Sequence, residues 1–286
     1  MDNFQLNTVD RQLIDQLADF LPDRIFDAHM HLYDAAFLPG MHDPDSNVYS
    51  KARLAIDDYL QAFGAAEEPF LTHYSVRDGG CHSSALTRGA FLDLSRRAAT
   101  LMADSGCQPG DRILHCFSRN HPEDLACRLG ATMTGCVPVT VNWQADTADQ
   151  VLYKLGLTRP ALVLSDDGFD RDILAAIRAA SPSTPQRAVD GLADLPARPA
   201  DRDCRATDAD GARIVIFTSG TTGNPKGVAL PYRSYRANRA TFEALLGFGR
   251  DEPLTVAIVN PMYHTNSTAI TDWALRRPGS RLHLLR

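Results

Sequence analysis

The segment that most constrains the fold of this chain is a loop rich in glycine, serine and threonine at residues 218–228. It follows Ala212–Phe217, a short β-branched apolar run that is typical of a buried strand. It precedes a helical pattern that begins near Ser234. The expected local order is therefore a strand, a loop and a helix.

The composition of this loop predicts phosphate binding. Its glycines let the backbone turn sharply and approach a ligand, and successive backbone N–H groups in such a turn can form a concavity that binds anions. Its hydroxyls are neutral donors, and Lys226 adds a compact positive charge. The loop is not a Walker A loop, because no Gly-Lys-Ser/Thr stands at the required spacing. The candidate phosphate-binding residues are Thr218, Ser219, Gly220, Thr221, Thr222, Gly223 and Lys226.

Three segments together resemble one family. Thr218–Val228 resembles the signature loop of the adenylate-forming (AMP-binding) superfamily, which includes acyl-CoA synthetases, the adenylation domains of peptide synthetases and luciferases. Pro109–Arg112 resembles the Pro-Gly-Asp-Arg-Val step of that family. Pro261–His264 resembles its Pro-Leu/Met-Tyr/Phe-His landmark at the acyl pocket.

This resemblance implies the activation of a carboxylic acid by ATP as an acyl-adenylate, followed by thioester formation. The implied cofactors are ATP, Mg²⁺ and coenzyme A, and the implied partners are ATP and a small carboxylic acid. Residues 218–226 would hold the β- and γ-phosphates, and His264 would act near the α-phosphate in the acyl pocket. The acid itself stays open, as does the choice between coenzyme A and a carrier protein as acceptor.

Strands alternate with helices through the middle of the chain. Ile113–Phe117, Cys136–Val141 and Ala161–Ser165 are short apolar runs separated by helical patterns. This alternation predicts an α/β fold with mostly parallel sheet layers flanked by helices. We expect Asn120 to cap the helix after the first of these strands, and Asp146 or Thr147 to cap the next one.

Glycine and proline punctuate residues 64–69, which predicts a domain boundary there. Residues 1–66 then form a short α/β extension, and residues 67–286 form a partial adenylation domain. Residues 181–211 lack apolar periodicity and predict a long surface connection. The family's adenine-binding segments and its C-terminal lysine domain have no counterpart before Arg286, so we expect little turnover from these residues alone.

Two other functions are kept as alternatives. His29 and His31 are two residues apart, so both point to one face of a strand and can bind one divalent metal. Residues 24–34 resemble the first strand of the amidohydrolase superfamily, which makes a metal-dependent hydrolase the second hypothesis. A barrel of that kind needs roughly 200 residues, and too few follow before the adenylation-like sequence begins. The third hypothesis is a non-catalytic truncated or fusion product.

The net charge and the hydropathy of the sequence limit the kinds of partner that the chain can bind. The net charge of −6 offers no electrostatic case for binding nucleic acid. The apolar runs fall far short of the roughly 18 residues that span a bilayer. Six cysteines without a Cys-x-x-Cys pair and an N-terminus without a signal pattern indicate a cytoplasmic setting. The oligomeric state is not indicated.

Overall fold

The computed structural model describes residues 66–77, 80–197, 210–218, 225–249 and 252–285. The predictions for His29 and His31, and those for the loop residues from Ser219 to Gly223, lie outside these ranges and stay predictions. The division of the chain at residue 66 also stays a prediction.

Within the described ranges the chain forms ten strands and six helices. The strands are β1 (Pro69–Arg77), β2 (Gly80–Thr87), β3 (Arg112–Cys116), β4 (Val137–Thr140), β5 (Leu162–Ser165), β6 (Gln186–Ala188), β7 (Ala212–Thr218), β8 (Lys226–Pro231), β9 (Thr255–Ile258) and β10 (Arg281–Leu285). The helices are α1 (Arg88–Asp104), α2 (Pro122–Thr134), α3 (Ala148–Thr158), α4 (Arg171–Ala180), α5 (Tyr232–Leu246) and α6 (Thr265–Leu275).

The strands form two sheets in the described part of the chain. A six-stranded sheet has the order β6-β5-β3-β4-β7-β8, and only β8 is antiparallel to its neighbour. A four-stranded sheet has the order β2-β1-β10-β9, and only β2 is antiparallel. The predicted α/β class with mostly parallel sheets flanked by helices is confirmed.

Side chains on alternate positions of the strands pack on opposite faces of the larger sheet, as the period of two requires. Ile113 belongs to the main core, which also includes residues of α1, α2, α5 and α6. Leu114, the next residue, belongs to a second core with residues of α3 and α4. Both faces of β3 are therefore buried under helices, which accounts for the apolar side chains of Ile113 and Leu114 on its two faces.

Local sequence signals account for several boundaries. Thr147 caps α3 in a capping box with Gln150, one of the two predicted caps. Gly247 ends α5 with a φ of 68°, a left-handed conformation that favours glycine. The predicted surface connection from residue 181 is wrong in one respect, because β6 pairs there with β5. β6 is a three-residue edge strand of polar composition, so it carries no apolar period.

Helices α1 and α2 cross very closely at Gly130. A Cβ atom at this position would lie 2.9 Å from Ala98 Cβ and 2.9 Å from Ala99 N. We expect Gly130→Ala to push the helices apart and lower the free energy of unfolding by about 1–3 kcal/mol. Gly156 in α3 is the matched control, because a Cβ there meets no atom within 4 Å.

Gly156→Ala should raise the free energy of unfolding by up to about 1 kcal/mol, since alanine favours the helix. Denaturant titration of both variants gives the comparison. Loss of stability in both variants, or in neither, would contradict the account of the α1–α2 contact.

Candidate functional site

The described ends of the predicted phosphate-binding loop lie side by side in a β-hairpin. Thr218 is the last residue of β7 and pairs with Lys226, the first residue of β8. The Thr218 hydroxyl donates a hydrogen bond to the Lys226 carbonyl at 3.5 Å. Both residues are exposed to solvent. Of the seven predicted loop residues the structure places these two, and it places them at the base of one loop.

The hairpin corrects the predicted order of strand, loop and helix. β8 stands between the loop and α5, and α5 begins at Tyr232 rather than near Ser234. The residues of β8 are exposed or half-buried and lack the alternating pattern of a core strand, so its sequence shows little strand signal. Gly227 allows the two strands to approach, because a Cβ there would lie 3.2 Å from the ring of Phe217.

A buried lysine supports the strand that leads into the loop. Lys154 Nζ lies 4.7 Å from the centre of the Phe217 ring, and its ammonium group pairs with the carboxylate of Asp146. Asp146 also accepts a hydrogen bond from the backbone N–H of Asn142 at 2.7 Å. Burial lowers the pKa of Lys154, and the Asp146 carboxylate opposes that shift. The sequence contained no signal for this pair, because eight residues separate its members.

The segment after β4 runs alongside the start of the loop. The parallel register pairs Val139 with Val215, so residue 142 is level with Thr218 when both strands are extended. Trp143 and Gln144, the two residues that follow residue 142, both contact Tyr263. Trp143 lies edge-on to the Tyr263 ring at 5.8 Å, and the Tyr263 hydroxyl donates a hydrogen bond to Gln144. The Pro261–His264 segment therefore lies at the same edge of the structure as the base of the loop.

His264 stands at the start of α6 in this segment. Its backbone N–H donates to the Pro261 carbonyl at 3.0 Å, which closes a turn after β9. Its ring lies 4.6 Å from the ring of Tyr263, and the residue is exposed. Burial, together with the nearby Asp146 carboxylate, raises the pKa of the Tyr263 hydroxyl. Tyr263 is therefore neutral at physiological pH and serves as a hydrogen-bond donor.

Asn120 does not cap a helix, contrary to its prediction. His121 occupies the position before α2 without a side-chain hydrogen bond, and Pro122 begins the helix. Asn120 is instead 2% exposed and donates from Nδ2 to the carbonyls of Asn260 and Leu285 at 3.2 and 2.9 Å. Asn120 stands two residues before Pro122, a local pattern that is typical of a helix cap. Its hydrogen bonds to Asn260 and Leu285 are visible only in the folded structure.

No group of three potential metal ligands lies together in the described ranges. No described helix is long and apolar enough to cross a membrane.

Two mostly parallel sheets flanked by helices define an α/β domain, and the base of the loop, Tyr263 and His264 lie near the carboxyl ends of its strands. The chain belongs to the AMP-binding enzyme family, whose model matches residues 66–286.

Two of the similar proteins are ligases that act on acids. The chain is 31% identical over 173 residues to the fatty acid–[acyl-carrier-protein] ligase ScoC of Streptomyces coeruleorubidus, covering 60% of this chain and 32% of ScoC. It is 28% identical over 217 residues to a sulfoacetate–CoA ligase of Cupriavidus necator, covering 74% of this chain and 41% of that ligase. The chain thus spans about a third to two fifths of the length of these relatives.

The fold is similar to that of o-succinylbenzoate CoA synthetase (MenE) from Bacillus subtilis in complex with its acyl-adenylate intermediate. The TM-score is 0.65 at 19% identity, and the match covers 80% of this chain and 55% of that structure. This likeness shows the adenylate-forming fold.

Proposed function

We propose that this chain takes part in the ATP-dependent activation of a carboxylic acid. A carboxylate oxygen attacks the α-phosphorus of ATP, the bond to the β-phosphate bridging oxygen breaks, and pyrophosphate leaves. The resulting acyl-adenylate then passes its acyl group to a thiol, which releases AMP. The thiol belongs to coenzyme A or to a carrier protein, since relatives of both kinds are similar to this chain.

One observation carries the proposal. Thr218 and Lys226 form the base of a loop at the edge where Tyr263 and His264 also lie, in a chain that matches the family model. In our proposal residues 218–226 hold the β- and γ-phosphates, with backbone N–H groups and the Lys226 ammonium as donors. His264 lines the acyl pocket near the α-phosphate.

In our proposal Mg²⁺ would bind together with ATP. Mg²⁺ commonly keeps several waters and binds through one or two carboxylates together with substrate phosphates. In our proposal the nucleotide phosphates and water would supply most of the ligands of the ion. Bound in this way, Mg²⁺ would neutralise charge that develops on the leaving pyrophosphate.

A cytoplasmic location remains part of the proposal. Five described cysteines are free thiols, and four of them are buried, as expected for a reducing compartment.

The proposal is tested by calorimetric titration of the chain with ATP in the presence of MgCl₂. We expect saturable binding that tripolyphosphate weakens by competition, because the loop recognises phosphates. Adenosine at the same concentration should leave the ATP isotherm unchanged. Absence of ATP binding, or competition by adenosine but not by tripolyphosphate, would contradict the assignment of residues 218–226 to the phosphates.

A further inference from the structure

Asn120 is a buried side chain whose hydrogen-bonding groups are all used by distant parts of the chain. Its amide nitrogen donates to the carbonyls of Asn260 and Leu285, and its amide oxygen accepts from the backbone N–H of Met262 at 2.8 Å. These partners are 140, 165 and 142 residues away in sequence. One side chain thus connects the end of β3 in one sheet to the ends of β9 and β10 in the other.

The same side chain determines where the Pro261–His264 turn lies. Met262 is held directly, and the Asn260 carbonyl also accepts a hydrogen bond from the Ser267 hydroxyl of α6 at 2.9 Å. On its other side the turn is held by the bond from Tyr263 to Gln144. The turn that contains His264 is therefore held by the Asn120 contacts on one side and by the Tyr263–Gln144 hydrogen bond on the other.

The chemistry of these contacts requires an amide. Two carbonyl oxygens face the Asn120 nitrogen, and one N–H faces its oxygen. An aspartate of nearly the same shape would place a carboxylate oxygen against two carbonyl oxygens, with no proton to share. Like partial charges in a buried site repel strongly because little solvent screens them.

We propose that Asn120 is a positioning residue that holds the Tyr263–His264 segment in place for the carboxylic acid. The part of the inference that concerns the acid rests on the proposed function. The position of the turn is measured without enzymatic turnover.

The experiment compares Asn120→Asp with Ser280→Ala. Ser280 is fully buried, and its hydroxyl accepts the Leu254 N–H at 2.9 Å near the opposite ends of β9 and β10. Each substitution removes a hydrogen bond to a backbone group in or next to β9 or β10, so both should lower the melting temperature. The chain contains two tryptophans, and Trp143 contacts Tyr263, so 5-fluorotryptophan reports on the turn by ¹⁹F NMR. Trp143→Phe assigns the resonance.

We expect the Trp143 resonance to shift or broaden in Asn120→Asp and to stay unchanged in Ser280→Ala. Movement in both variants would indicate a general loss of stability, and movement in neither would show that Asn120 does not hold the turn. Either result would overturn the proposal.

The consequence for the acid is measured by calorimetric titration of the chain with hexanoate and with benzoate in the presence of MgATP. Asn120→Asp should weaken binding of the acid at least tenfold while the dissociation constant for ATP changes less than twofold. An unchanged affinity for the acid together with a shifted Trp143 resonance would overturn the role toward the acid. Binding of neither acid by the unsubstituted chain would count against both parts that concern the acid, and the ¹⁹F comparison would still decide whether Asn120 positions the turn.

Discussion

Replacing Lys226 by alanine is expected to weaken ATP binding by about ten- to a hundredfold. Hydrogen bonds to charged groups contribute about 1.5–3 kcal/mol, and a tenfold change in affinity corresponds to about 1.4 kcal/mol. The side chain is exposed at the start of β8, so its removal leaves no cavity. The melting temperature should therefore stay within a degree or two while the dissociation constant for ATP rises.

Arg233 provides the matched control for this variant. It is an exposed cation seven residues further along, in the first turn of α5, and it pairs with Asp210 at 2.7 Å. Arg233→Ala removes one positive charge from the same region without touching the base of the loop. Equal losses of ATP affinity in the two variants would show that Lys226 acts only through net charge, against the proposed contact with the phosphates.

Replacing Asp124 by alanine is expected to lower the free energy of unfolding by about 3–5 kcal/mol, since it leaves a buried cation without its partner. Both oxygens of Asp124 are used by Arg128, which donates from Nε and Nη2 at 3.0 and 2.8 Å. His115 Nδ1 lies 2.7 Å from the same carboxylate. All three side chains are less than 5% exposed. Chemical denaturation at neutral pH measures the loss.

The cluster of Asp124, Arg128 and His115 also predicts that the free energy of unfolding decreases as the pH is lowered. Burial alone would raise the pKa of Asp124, but the charge of Arg128 and the contact with His115 outweigh it and lower the pKa to about 2. The ordinary value is 3.8, so the unfolded chain takes up the proton first. The stabilisation is complete above pH 3.8 and is lost as the pH falls toward 2. Burial also lowers the pKa of His115, so its contribution is likewise lost on acidification, beginning near pH 6.5.

Asp124→Asn tests the sign of this dependence. The gap in stability between it and the unsubstituted chain should be largest at neutral pH and should shrink between about pH 4 and pH 2. Asp93 is the control: it is 45% exposed and pairs with Arg97 on α1, so Asp93→Ala should cost no more than about 1 kcal/mol. A gap that grows on acidification would contradict the ionised state of Asp124.

The sequence predicts the parts of this fold that depend on neighbouring residues. The buried strands β3, β4 and β5 are apolar runs, and the cap at Thr147 is a local signal. The resemblance to the adenylate-forming family, confirmed by the family match, located the loop and His264.

Features that depend on distant partners could not be predicted. β1 and β2 carry few buried side chains, and β1 gains a parallel partner, β10, from the other end of the chain. Asn120 has the local signature of a helix cap but is bonded to residues more than a hundred positions away. Lys154 lies in a helix whose apolar stripe is evident, yet its cation–π contact with Phe217 arises only when α3 packs on β7. In each case the three-dimensional arrangement, not the local pattern, determines the role.

The central claim is that residues 218–226 hold the β- and γ-phosphates of ATP. Its most direct test is ³¹P NMR of MgATP titrated with the chain, with Lys226→Ala and Arg233→Ala as comparison. The account predicts that the β- and γ-phosphorus resonances shift and broaden with the unsubstituted chain and with Arg233→Ala, and that Lys226→Ala largely restores the spectrum of free MgATP. Unperturbed resonances with the unsubstituted chain, or the same perturbation with Lys226→Ala, would contradict it.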